Sequence, residues 1–93
     1  MSIELSVVVP CYNEERTLRR ILEAIRASGV DSLEVIVVDD ASRDGSVALL
    51  EGELAPLVDK LVKHPVNRGK GAALRSGFAH ARGQYVVVQD ADL

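Results

Sequence analysis

Apolar residues fall along this chain in two alternating rhythms. Largely β-branched apolar runs, residues 7–9, 35–38 and 86–88, form the centres of segments 5–10, 34–38 and 85–89. The second reads as a strand buried on both faces of a parallel sheet, the first as a buried strand and the third as a further strand. Between them the apolar positions switch to helical spacing: Leu18, Ile21, Leu22 and Ile25; then Val47, Leu49, Leu50 and Leu54; then Ala72, Ala73, Leu74, Phe78 and Ala81. A shorter strand is expected around 59–63. Strands alternating with helices predict an α/β chain with right-handed crossovers, an open and mostly parallel sheet of about four strands with helices on both faces.

The punctuation agrees with these rhythms. Pro10 has no N–H for a ladder and closes the first strand. Asn13 is a suitable N-cap, with Glu14 and Glu15 in a first turn that favours acidic groups, and Gly29 supplies the stop. Ser42 or Asp44 caps the second helix and Pro56 ends it, while Gly83 closes the third.

Charge adds a gradient. The net of −3 divides into −7 over residues 1–59, with five basic and twelve acidic side chains, and +4 over residues 60–93, with six basic and two acidic. Three aromatic residues in all argue against a nucleic-acid face, which interleaves basic groups with stacking rings. A phosphate-bearing small ligand fits the asymmetry better. The single cysteine, Cys11, excludes an internal disulfide and a cysteine-based zinc site and reads as a small buried thiol. The first residues carry no basic n-region and no apolar run reaches about 18 residues, so a cytoplasmic protein without a membrane segment is expected.

The candidate chemistry clusters where strands end. The second strand stops at Asp39 and Asp40, and in open α/β sheets ligands bind outside the carboxyl ends of the strands. Asp90 and Asp92, at i and i+2 on an extended segment, point to one side and can converge on a hard cation such as Mg²⁺ or Mn²⁺. Two carboxylates make a poor site alone, and a diphosphate would complete it. Gly69-Lys70-Gly71 before a helix either presents N–H groups and a cation to phosphate oxygens or is a mobile loop with a solvated lysine. It lacks the Walker A spacing. Tyr12 either stacks on a base or packs at the sheet rim. Arg75 and Arg82 read as an exposed helix face, and His64 and His80 as surface residues.

Four segments carry a resemblance: residues 6–14 (SVVVPCYNE), 37–45 (VVDDASRDG), 67–71 (NRGKG) and 89–93 (QDADL). In this order and at this spacing they resemble family 2 glycosyltransferases, most closely the polyprenyl-phosphate branch that includes dolichyl-phosphate mannose synthases. The resemblance covers essentially the whole chain. It implies the Rossmann-like N-terminal half of a GT-A fold with sheet order 3-2-1-4, and a nucleoside-diphosphate sugar as ligand. It places Pro10, Tyr12, Glu14, Asp39 and Asp40 around base and ribose, with Asp40 accepting a base N–H. Lys70 and Ala91 join the same site, Asp90 serves ribose and metal, and Asp92 holds the metal on the diphosphate. The implied reaction is inverting transfer to an acceptor, with a polyprenyl phosphate as one candidate. Family members continue past the Asp-x-Asp, so the chain is expected to be the donor-binding part, with any catalytic base beyond Leu93 and no transfer by this part alone.

Two other readings compete. A phosphoacceptor receiver domain also pairs aspartates after a strand, but it opens with that pair near its N-terminus, where this chain has a whole strand–helix unit. A non-catalytic nucleotide-binding module would have to leave the apolar fourth strand open, an aggregation hazard.

Overall fold

A computed structural model describes residues 2–92. Met1 and Leu93, the latter closing the last of the four motifs, lie outside the described residues. Strand β1 (Leu5–Cys11) is followed by helix α1 (Leu18–Arg26), β2 (Leu33–Asp39), α2 (Ser46–Glu51), a 3₁₀ turn (Ala55–Leu57), β3 (Lys60–Lys63), α3 (Lys70–His80) and β4 (Tyr85–Val88). All pairings are parallel and the strand order is β3-β2-β1-β4. The expected α/β architecture and the implied order are both present.

The two-sided burial of β1 and β2 explains why their sequences do not alternate. Val7, Val9, Cys11, Val35 and Val37 face one layer, where they pack with Leu18 and Leu22 of α1 and Leu50 and Leu54. The intervening Ile36 and Val38 face α3 through Ala73. Either face left open would expose β-branched side chains to water.

The helix limits differ from the sequence reading at several points. Helix α1 starts at Leu18 with Thr17 as its N-cap. Asn13 instead takes a left-handed backbone, φ 55°, and its side-chain oxygen accepts the Arg43 N–H at 2.7 Å. Helix α2 stops at Glu51, so Leu54 lies beyond it and Pro56 sits inside the 3₁₀ turn, where a missing N–H costs nothing. Leu54 is nevertheless fully buried. Helix α3 turns Phe78 outward and carries its inner face on Ala72, Ala73 and Gly77.

Those small residues let α3 lie close to the sheet. A Cβ on Gly77 would fall well inside contact distance of Val8 Cγ1, and Val8 is fully buried. Gly77→Ala should therefore force the helix off β1 and destabilise the protein by about 1–3 kcal/mol, despite the better helix propensity of alanine. A lowered thermal midpoint would show it, and an unchanged or raised midpoint would refute the close packing.

At the amino ends of the strands a polar knot fixes the α3–β4 junction. Buried Glu34 accepts the Ser6 hydroxyl at 2.7 Å, the Arg82 N–H at 3.0 Å and the Arg82 guanidinium at 3.1 Å. Arg82 is thus a partner of a buried carboxylate and lies past the helix, not on an idle helix face. Strand β4 remains open to solvent, with Tyr85 66%, Val86 42%, Val87 45% and Val88 42% exposed. Among the described residues no helix is long and apolar enough to cross a membrane.

Candidate functional site

The carboxyl ends of β1, β2 and β4 open into one cleft of about 320 Å³. The β1 end supplies Pro10, Tyr12 and Glu14, the β2 end Asp40, the loop before α3 Asn67, Gly69 and Lys70, and the β4 end Asp90, Ala91 and Asp92. This is the switch point of the sheet, where β4 returns to lie beside β1 on the side opposite β2.

The walls are built from loops that bond each other. Residues 12–15 are stitched to residues 42–46: the Asn13 N–H donates to Ser42 Oγ at 2.9 Å, the Glu14 N–H to Ser46 Oγ at 3.1 Å and the Glu15 N–H to Asp44 Oδ2 at 3.2 Å. Asp44 also accepts the Ser46 N–H at 2.9 Å at the start of α2. Burial pushes the Asp44 carboxyl upward, but these donors outweigh it and hold the group below its ordinary value.

The two aspartates at the carboxyl end of β2 part company. Asp39 is buried, and its carboxylate accepts both the N–H and the hydroxyl of Ser42 at 2.9 and 2.6 Å. It lines the neighbouring concavity with Ala41, Arg43 and Val66, not the cleft. The sequence reading placed it beside Asp40, but local turn closure claims its oxygens first. Asp40 does line the cleft, and its carboxylate accepts the Arg68 N–H at 2.9 Å and the Gly69 N–H at 2.8 Å. Gly69 reaches that position with φ 93°, left-handed backbone that favours glycine.

His64 completes the arrangement and corrects the surface assignment. It is buried, with Nδ1 at 2.8 Å from Asp40 Oδ1 and Nε2 at 2.8 Å from Ser76 Oγ. A carboxylate only accepts, so Nδ1 carries the proton and donates. Burial would raise the Asp40 pKa; His64 and the two backbone donors outweigh it and depress the carboxyl below its usual range. His80 remains exposed, bonded to the Ser76 carbonyl of its own helix at 2.9 Å.

Across the cleft mouth, Lys70 Nζ lies 2.6 Å from Asp90 Oδ1. The bond to Asp90 and its charge raise the lysine pKa. Ala91 is buried against the core while Asp92 is exposed, the alternation expected of an extended segment. The Thr17 hydroxyl donates to the Ala91 carbonyl, which ties the α1 cap to the middle of the Asp-x-Asp. Tyr12 is 42% exposed at the rim. Cys11 lies beneath it, and burial, then the charge of Asp39, pushes its thiol up to about 12, as fits an inert core thiol.

The donor set bears on a metal. Among the described residues no three His, Cys, Asp or Glu side chains converge as a closed cage. Two carboxylates with open positions suit Mg²⁺ or Mn²⁺ bound jointly by protein and substrate phosphates. The ammonium of Lys70 already lies against one of them, so a positive group fits there.

Of the residues singled out from sequence, Pro10, Tyr12, Glu14, Asp40, Lys70, Asp90, Ala91 and Asp92 share this cleft. Ser76 and Thr17 escape the sequence reading, which names Asn67 only within the 67–71 motif and takes His64 for a surface residue. The signal for His64 is the register, since Asp39 pairs with Lys63 and the next residues, Asp40 and His64, become neighbours.

Comparison with known proteins agrees with the four motifs. The chain is 43% identical over 95 residues to an undecaprenyl-phosphate 4-deoxy-4-formamido-L-arabinose transferase of Aeromonas hydrophila, covering 96% of this chain and 29% of the relative. It is 39% identical over 101 residues to a dolichyl-phosphate beta-glucosyltransferase of Trichomonas vaginalis, covering 98% and 31%. Its fold superposes with TM-score 0.86 and 37% identity on a mannosyltransferase from Pyrobaculum calidifontis solved with GDP-Man and Mn²⁺, covering 99% of this chain and 28% of that one. The chain thus spans under a third of the length of each of these three proteins. The model of the family "Glycosyl transferase family 2" matches residues 6–93, and the chain belongs to that family.

Proposed function

We propose that this chain binds the donor of an inverting glycosyltransferase, a nucleoside-diphosphate sugar held together with a divalent metal, and that the sugar passes to a polyprenyl phosphate. One observation carries the reading: the loop after β1, Asp40, the start of α3 and the Asp-x-Asp line a single cleft at the switch point. The names of the relatives, which include undecaprenyl- and dolichyl-phosphate transferases, support the acceptor class. The same acceptor class supports a place at the cytoplasmic face of a membrane.

In this proposal Tyr12, on the rim, offers a ring to the base, and Pro10 and Glu14 shape the base and ribose wall. Asp40 accepts a base N–H. Lys70, as the first residue of α3, brings a cation and a helix N-terminus to the diphosphate. Asp90 and Asp92 would hold Mg²⁺ or Mn²⁺, which supplies charge neutralisation on the departing nucleoside diphosphate. A phosphate acceptor is already largely ionised near neutral pH, so no residue of this chain need serve as its base.

The test is a titration with GDP and UDP, with and without Mn²⁺, followed by calorimetry, on protein confirmed as folded by circular dichroism. Metal-dependent binding of one of them supports the proposal and names the base. Folded protein that ignores both nucleotides at millimolar concentration rejects donor binding by this chain.

A further inference from the structure

Resting on that reading of the cleft, we infer that His64 is a positioning residue for nucleotide recognition, filling one oxygen of Asp40 so that the other serves the loop and the ligand together. Three donors meet the Asp40 carboxylate. Asp40 Oδ1 receives two donors, His64 Nδ1 at 2.8 Å and the Arg68 N–H at 2.9 Å. Oδ2 receives the Gly69 N–H at 2.8 Å. A carboxylate oxygen accepts two hydrogen bonds. Among the described residues Oδ2 therefore keeps one acceptor position unfilled, on a side chain that lines the cleft.

Two backbone N–H groups suffice to hold a loop against a carboxylate. Bonded one to each oxygen, they set the carboxylate plane but leave each oxygen one acceptor position, so neither oxygen is singled out for a ligand. The imidazole singles one out by taking the remaining position on Oδ1. Its side chain is 5% exposed and that of Asp40 6%. Both ring nitrogens are engaged, so the ring is held by Asp40, just past β2, on one side and by Ser76 in α3 on the other. The His64 N–H also donates to the Asp39 carbonyl at 2.9 Å, which registers the ring beside Asp40. Filling Oδ1 twice leaves Oδ2 as the oxygen for an incoming N–H. A histidine with a purely structural role would change stability without changing which ligands bind.

The experiment compares His64→Leu and His64→Asn with the unaltered protein, using GDP, UDP and pyrophosphate in the presence of Mn²⁺, with thermal midpoints in parallel. The asparagine amide can donate to Asp40 in place of Nδ1 but cannot reach Ser76. His64→Leu should weaken the bound nucleotide roughly tenfold and pyrophosphate by under about threefold, because only the nucleotide carries a base N–H. His64→Asn should restore nucleotide affinity to within about threefold of the unaltered protein even where its midpoint stays low. Equal losses for nucleotide and pyrophosphate, or lowered midpoints with unchanged nucleotide affinity, would overturn the inference. Failure of the unaltered protein to bind any nucleotide would overturn the cleft reading itself, and is seen before any variant is made.

Discussion

Asp92→Asn is expected to weaken Mn²⁺-dependent nucleotide binding by roughly 10–100-fold or more, since even outer-shell partners of a metal are worth that much. The protein should remain as stable as before. Asp92 is exposed, and exposed substitutions of this kind stay within about 0.5 kcal/mol. Asp90 is the less clean choice. Its substitution also releases Lys70 from the 2.6 Å ion pair, so a lost carboxylate and a freed cation would be read together. Calorimetric titration with and without Mn²⁺ separates the metal-dependent part. Unchanged metal-dependent affinity in the Asp92 variant would mean that the Asp-x-Asp does not hold the ion.

The largest stability effect is expected at Asp40. Asp40→Ala strands the Arg68 and Gly69 N–H groups and His64 Nδ1, all donors to one buried carboxylate. Removing one partner of such a buried cluster costs about 3–5 kcal/mol, against roughly 5–15 kcal/mol of total stability for a natural domain. Urea unfolding would show it as a lowered midpoint, and a loss under about 1 kcal/mol would mean the carboxylate is not the anchor of the loop. Acid should act on the same contacts. The carboxyls of Glu34, Asp40 and Asp44 lie below their ordinary values in the folded protein: burial pushes each upward, and their hydrogen-bond donors outweigh it. A group depressed by folding stabilises in full above its unfolded pKa and loses that contribution as pH falls through the folded one. Stability should therefore decline below about pH 5, and Asp40→Asn should flatten part of the decline.

Much of the architecture is legible in the sequence because burial on both faces leaves a plain mark. Residues 35–38 admit no polar side chain, as a central strand covered on both faces allows. Helix limits were less legible. Nothing local to Asn13 says that its side chain is taken by Arg43, thirty residues on. The same holds for the site. The grouping of Asp40, Lys70, Asp90 and Asp92 followed from motif order, whereas the roles of Asp39 and His64 depended on pairings across the chain. Asp39 reads like its neighbour, yet the turn through Ala41, with φ 62°, brings Ser42 back onto its oxygens. His64 follows a four-residue strand, and only the register of that strand against β2 brings it to Asp40.

The bond from Thr17 to the Ala91 carbonyl joins residues 74 positions apart. It belongs to a cleft whose walls are joined by contacts from residues 13–15 to residues 42–46 and from Asp40 to the backbone of residues 68–69, which span 28 to 32 positions. No local hairpin or isolated helix can pre-form such a site, because parallel pairing demands loop closure before any contact rewards it. The recognition surface arises only when the last strand has docked beside the first. By mass action, whatever occupies it acts as a clasp on the entire topology, and occupancy and global folding become one coupled equilibrium.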